Sequence, residues 1–340
     1  MTVTAGARPS AELRASLRRR EGVVILSLIA AVLVVAVIAL LTGAFAADPG
    51  RVLLSLVGAG DPGTRTVVQQ LRLPRIVAAI VFGGGLAVSG GMFQLLTRNP
   101  LGSPDVVGFT SGAFTGALVA IVTVGGGVGA TLVGSLLGGA VAAILVYALG
   151  GHGGRTRLLV VGIGIGAMFT AVNHWLILTA DLDTALAAAV WGAGTLNGLT
   201  WAQVLPTSAI VLLLLVVASA GSGRARMLEL GDDAAAVLGV PLGRTKLGMV
   251  AVAIALTGAV TAVAGPIAFI ALAAPHLTRR LLPERTPVLA TALMGALLLL
   301  ASDTIASRLF SPVQLPAGMV TICLGGAYLL WLLGRRARLG

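Results

Sequence analysis

Arg72 and Arg75 flank Leu73-Pro74 just before a long apolar run, and on a helix residues three apart share a face. Guanidiniums presented together suit carboxylates, because each offers a planar fork of N–H donors and a permanent charge. Recognition of an acidic partner is the chemistry such a pair supports, with anchoring at lipid headgroups as the plainer alternative. At the far end of the run stands Asn99-Pro100. Proline cannot extend a helix and steers the residue before it away from helical geometry, so the run must stop there. That turn is either a simple helix stop or, where two copies face each other, a gate.

A second group lies in Leu228-Glu229-Leu230-Gly231-Asp232-Asp233-Ala234-Ala235-Ala236-Val237-Leu238-Gly239. Asp232 and Asp233 suit a helix N-terminus, the alanines favour helix and Gly239 suits its C-terminal stop. A short helix-turn-helix on a membrane surface follows, covered by a partner or left solvated. Asn173 and His174 sit inside an apolar run, where they line a path for a passing molecule or hydrogen-bond within the core. His276, after Pro275, suits interaction with helix-end carbonyls.

What is missing narrows the chemistry further. The chain has no Gly-x-x-x-x-Gly-Lys phosphate loop and no paired His or Cys spacing for a metal. No catalytic residue, resident metal or cofactor is expected in it. Cys323 is the lone cysteine, so no disulfide can form within the chain.

The elements that must position these residues are membrane helices. Hydrophobic residues make up 57% of the 340, charged residues 10%, and the mean hydropathy is +1.02. A soluble domain typically carries about 25% charged residues. Spanning the hydrocarbon core takes roughly 20 apolar residues per helix. Such runs stand at 23–43, 76–97, 127–149, 157–180, 203–219, 245–264, 286–301 and 316–334, with shorter ones at 106–123 and 266–278. About ten spans in one all-α domain, 23–334, are predicted, between a retained basic tail, 1–22, and a second tail, 335–340. Alternating ten spans from a cytoplasmic N-terminus puts 18 of the 23 basic residues inside, as the positive-inside rule requires. Both termini are then cytoplasmic, and the net charge of +11 reflects topology; no aromatic-interleaved basic patch suggests nucleic acid. The loop 181–200 falls outside, with Trp191 as an interfacial anchor. Gly112/Gly116 and Gly134/Gly138 have the spacing of close helix packing.

Read in order, Arg72-Leu73-Pro74-Arg75, Asn99-Pro100-Leu101-Gly102-Ser103-Pro104-Asp105, Gly265-Pro266-Ile267-Ala268-Phe269, Pro275-His276-Leu277-Thr278-Arg279, Asp303 and Leu315-Pro316-Ala317-Gly318 resemble a known family. It is the FecCD-type permeases of bacterial ATP-binding-cassette importers for iron-siderophores and vitamin B12. The resemblance, over about residues 23–334, implies a type II ABC importer permease fold in the bacterial plasma (inner) membrane. It implies pairing with a second permease, identical or sister, and with two ATPase subunits that hold ATP and magnesium. It also implies an extracytoplasmic binding protein docking on Arg72 and Arg75, with Arg308 as a third contact. Similar permeases often carry an arginine four residues after the aspartate matching Asp303; here Ser307 holds that place. Residues 228–244 match the ATPase-coupling element and Asn99-Pro100 the cytoplasmic gate. A ferric siderophore is the expected cargo, with vitamin B12 or haem as the alternative and an ion-coupled secondary carrier as the reading from another class.

Overall fold

A computed structural model describes residues 11–42, 48–56, 58–59, 61–105, 107–125, 127–150, 154–283, 286–309 and 313–337. The basic residues Arg8, Arg285 and Arg338, counted above on the inner side, lie outside the described residues, as do 1–10 and 338–340 of the two tails. The described part of the first tail is helical and continuous with the first span.

The elements in order are α1 (Ala11–Leu41), α2 (Pro49–Leu56), α3 (Pro62–Thr66), a π-helical segment (Val67–Arg72), α4 (Leu73–Thr97), α5 (Phe109–Val124), α6 (Val128–Gly150) and α7 (Gly154–Thr179). There follow α8 (Leu182–Gly192), α9 (Trp201–Glu229), α10 (Asp232–Val237), α11 (Leu242–Ala264), α12 (Ile270–Leu281), α13 (Val288–Ala306) and α14 (Ala317–Ala337). Among the described residues seven helical stretches are long and apolar enough to cross a membrane. Shorter apolar helices stand in α5, α8 and α14, which is roughly consistent with the about ten spans expected. The small helices α2 and α3 were not legible as such, because Gly and Pro punctuate them. The segment 181–200 contains a helix, α8, whose N-terminus is capped by Asp181 Oδ2 accepting from the Thr184 N–H at 3.0 Å.

The centre of the bundle is α4, which packs against α9, α11, α12 and α13. Phe82, Leu86, Leu256, Leu299 and Leu300 fill the space between them and are almost fully buried. Lipid tails are as apolar as leucine, so close contact rather than hydrophobic burial must hold such helices together. The α5–α6 pair follows the small-residue spacing read from sequence. A Cβ on Gly116 would strike the Gly134 carbonyl, and one on Gly138 would strike that of Gly112.

α4 ends sharply before its proline. Arg98 takes φ +48, the Arg98 N–H reaches the Leu95 carbonyl at 3.2 Å and the Asn99 N–H reaches that of Gln94 at 3.2 Å. This six-to-one closure satisfies the last carbonyls of the helix. Asn99 Oδ1 then accepts from the Leu101 N–H at 2.9 Å, fixing the turn through Pro100.

Between α11 and α12 the backbone leaves the helix at Gly265–Phe269. Irregular backbone is tolerated within a membrane protein only where its polar groups find partners. Here the Val263 carbonyl accepts from Trp191 Nε1–H at 3.3 Å and the Ala264 carbonyl from the Thr195 N–H at 2.8 Å. Trp191 therefore serves a helix end. Its ring also meets Phe114, with centroids 5.2 Å apart.

Candidate functional site

The two ends of α4 gather most of the charged residues singled out by sequence. At its N-terminal end Arg75 is turned into the bundle. Arg75 Nε donates to Asp303 Oδ2 at 2.6 Å, Nη2 to Oδ1 at 2.9 Å, and Nη1 to Gln314 Oε1 at 2.8 Å. The pair is largely closed to solvent, the side chains being 16% and 7% exposed. A two-pronged bond of this type fixes orientation as well as charge. It ties α4 to α13 and to the approach of α14.

Arg72 and Arg308 point elsewhere, to the C-terminal carbonyls of α1. Arg72 Nη1 donates to the Leu40 carbonyl at 2.6 Å, while Arg308 Nη2 donates to those of Ile38 at 2.9 Å and Thr42 at 3.4 Å. Cations at a helix C-terminus both satisfy orphan carbonyls and meet the negative end of its dipole. Burial pulls the Arg308 guanidinium below the usual arginine range. Its Nε is buried and has no hydrogen-bond partner among the described residues. Sequence placed Arg72 and Arg75 on one face; the structure gives them separate partners. The hint lay in Asp303, an ionisable residue inside an apolar helix, which calls for a partner. Ser307, in the place of the usual arginine, bonds back to the Thr304 carbonyl at 3.0 Å.

At the other end of α4, Asp232 joins the turn to the acidic, alanine-rich segment. Asp232 Oδ1 accepts from Arg98 Nη2 at 3.0 Å and Oδ2 from Lys246 Nζ at 2.8 Å. One carboxylate thus links α4, α10 and α11. The glycines Gly231 and Gly239 bracket α10 at φ +110 and +81, a backbone region that disfavours side chains. Ala235 is fully buried and packs with Leu228, Val240 and Met249, beside Met92, Leu95 and Leu96 of α4. On the outward side Leu230, Val237 and Leu238 are exposed, Val237 at 89%. Asp233, Ala234 and Glu229 are exposed with them. A segment that buries one alanine and offers several large apolar side chains to the exterior has the look of a contact surface.

In the interior Asn173 is buried. Its Oδ1 accepts from Thr115 Oγ1 at 2.6 Å and its Nδ2 donates to the Ser111 carbonyl at 3.3 Å, so it joins α7 to α5. The neighbouring His174 faces outward from α7 and is exposed. Among the described residues no group of three or more His, Cys, Asp and Glu is placed to hold a metal ion.

A family model described as the FecCD transport family matches residues 31–335. The ferric enterobactin transport system permease protein FepG of Escherichia coli is 46% identical over 323 residues, covering 94% of this chain and 98% of that one. The Fe(3+)-citrate import system permease protein YfmE of Bacillus subtilis is 34% identical over 333 residues, covering 94% and 97%. A solved structure described as an inward-facing metal-chelate type ABC transporter superposes with a TM-score of 0.81 at 27% identity, over 92% of this chain and 98% of that one.

Proposed function

Because the chain belongs to the FecCD transport family, we propose that it is the permease subunit of an ATP-driven importer that carries a ferric siderophore through the bacterial plasma membrane. The observation that carries the reading is the near-full-length likeness to the ferric enterobactin permease at 46% identity. The citrate and hemin permeases among its relatives, at 34% and 35% identity, make haem the second cargo to test. ATP and magnesium belong to two partner ATPase subunits, and a second permease, identical or sister, completes the route.

In this reading the end of α4 with Arg75 faces the exterior and both chain termini face the cytoplasm. Acidic residues of a loaded binding protein meet the arginine rim. Arg72 and Arg308, half-buried on the end of α1, supply the charge, and Arg75 is braced by Asp303. Rim charges of this kind act mainly on the rate and selectivity of association.

Residues 228–244 receive the ATPase. Leu230, Val237 and Leu238 offer apolar contact, while Glu229, Asp233 and Ala234 edge it. Gly231 and Gly239 set the ends of α10, and Leu228 and Ala235 hold it against α4. Movement of α10 reaches the Asn99-Pro100 gate through Asp232, which holds Arg98 directly. Of Asn173 and His174 on α7, His174 is the exposed one that would meet a passing cargo, whereas Asn173 is engaged with α5. Cargo specificity resides mainly in the binding protein. Deleting the gene should abolish siderophore-dependent uptake of radio-iron under iron limitation; normal iron-chelate uptake alongside lost haem or cobalamin uptake would point to the other cargo.

A further inference from the structure

Where α11 gives way to α12, Phe269 stands at φ +78 and ψ −32. It is one of two non-glycine residues at positive φ among the described residues. A bulky side chain holds such a backbone only where its surroundings over-determine it, and these positions cluster at functional sites. The surroundings here are specific. Beside it the Asp105 carboxylate accepts from Thr110 Oγ1 at 2.6 Å. The Phe269 carbonyl accepts from the Leu272 and Ala273 N–H groups at 3.1 and 2.9 Å, opening α12. Its ring is pressed over Gly325 of α14, where any Cβ would collide with it.

That clamp aims Phe269 at a cluster. Its ring meets Tyr328 of α14 edge-on, with centroids 6.5 Å apart and planes at 75°. Tyr328 meets the His276 ring at 6.0 Å and 70°, and the Arg280 guanidinium carbon lies 5.9 Å from the Tyr328 centroid. Phe269, His276 and Tyr328 are half-buried and Arg280 is exposed, so the cluster opens outward from α12 and α14. Beside it on α14, Cys323, Gly326 and Ala327 are exposed and small. In transporter bundles discontinuous helices commonly form ligand sites.

Ring edges and faces accept other aromatic rings, and a guanidinium attracts negative charge while stacking on π-faces. On the importer reading above, we propose that Phe269, His276, Tyr328 and Arg280 form a contact site for anionic chelates whose iron is held by aromatic ring oxygens. Aliphatic, uncharged hydroxamate chelates gain little there. The site confers a preference within the permease, in addition to that of the binding protein.

The experiment measures binding of two small probes to the full chain in lipid nanodiscs: the ferric complex of 2,3-dihydroxybenzoate, anionic and aromatic, and that of acetohydroxamate, neutral and aliphatic. The wild type should prefer the first by about tenfold. Arg280→Gln should remove most of that preference with helix packing intact, Arg280→Lys should restore part of it, and Phe269→Leu with Tyr328→Leu should abolish it. A wild type that binds both probes alike, or variants that weaken both equally, would overturn the site and leave the rings as mere packing between α12 and α14. The same preparations, assembled with ATPases and binding protein, are assayed for ATP-dependent uptake. Failure there is failure of the importer reading, whereas uptake without any probe preference is failure of this site alone.

Discussion

Replacing Asp303 by asparagine keeps the size of the side chain and removes the charge that meets Arg75 through both prongs of its guanidinium. Water cannot make good the loss, because the Arg75 side chain is 16% exposed and sits against a residue only 7% exposed. Removing one member of a buried ion pair leaves the other charge desolvated, at a cost of about 3–5 kcal/mol. Gln314 remains as a neutral acceptor for Nη1 and offsets part of that. The assay is denaturant or SDS titration of the purified permease, followed by tryptophan emission, with wild type, Asp303→Asn, Arg75→Met and the double variant Arg75→Met/Asp303→Leu. Each single change should lower stability by at least about 2 kcal/mol, while the double change recovers most of the loss because no charge is left buried. Single variants within about 1 kcal/mol of the wild type would refute the inference that this pair is a strut between α4 and α13.

The remaining predictions concern partners and packing. Arg72→Glu with Arg308→Glu should weaken association with the binding protein at low salt and do so less as ionic strength rises, since rim charges are screened; surface plasmon resonance with immobilised permease would show it, and unchanged affinity would remove these residues from docking. On α10, Val237→Glu should cut ATPase co-purification and transport while the permease keeps its stability, whereas Ala235→Arg should destabilise the permease itself because Ala235 is fully buried. Normal ATPase capture by Val237→Glu would place the contact elsewhere. Gly116→Val should force α5 and α6 apart and cost about 1–3 kcal/mol by overpacking, measured in the same titration, with an unaffected variant arguing against backbone contact there.

Much of this arrangement was legible in the sequence. Long apolar runs gave the spans, because a helix is the only open-ended element that satisfies its own backbone in lipid. Pro100 gave the end of α4, and the spacings Gly112/Gly116 and Gly134/Gly138 gave close helix packing, though not that these two pairs meet each other. Pairings between distant residues were another matter. Arg75 and Asp303 are 228 positions apart, and nothing in the local pattern tells which arginine of the Arg72/Arg75 pair turns inward. The same holds for Asp232, which suited a helix N-terminus and proved also to hold Arg98 and Lys246. Ala235 read as part of an exposed helix, yet a six-residue helix has too few turns for periodicity to reveal its buried side. Phe269 stood in a family motif, but its positive φ was not legible, since such a backbone at a phenylalanine is imposed by tertiary contacts rather than by its own preference.

The most direct test of the central claim is uptake by proteoliposomes that contain the permease, its ATPases and its second permease, with binding protein loaded with radio-iron siderophore outside and ATP trapped inside. Iron should accumulate in the lumen only when hydrolysable ATP and binding protein are both present, and dissipating the proton gradient should leave the rate unchanged. Uptake that persists without ATP and collapses with the proton gradient would contradict the account.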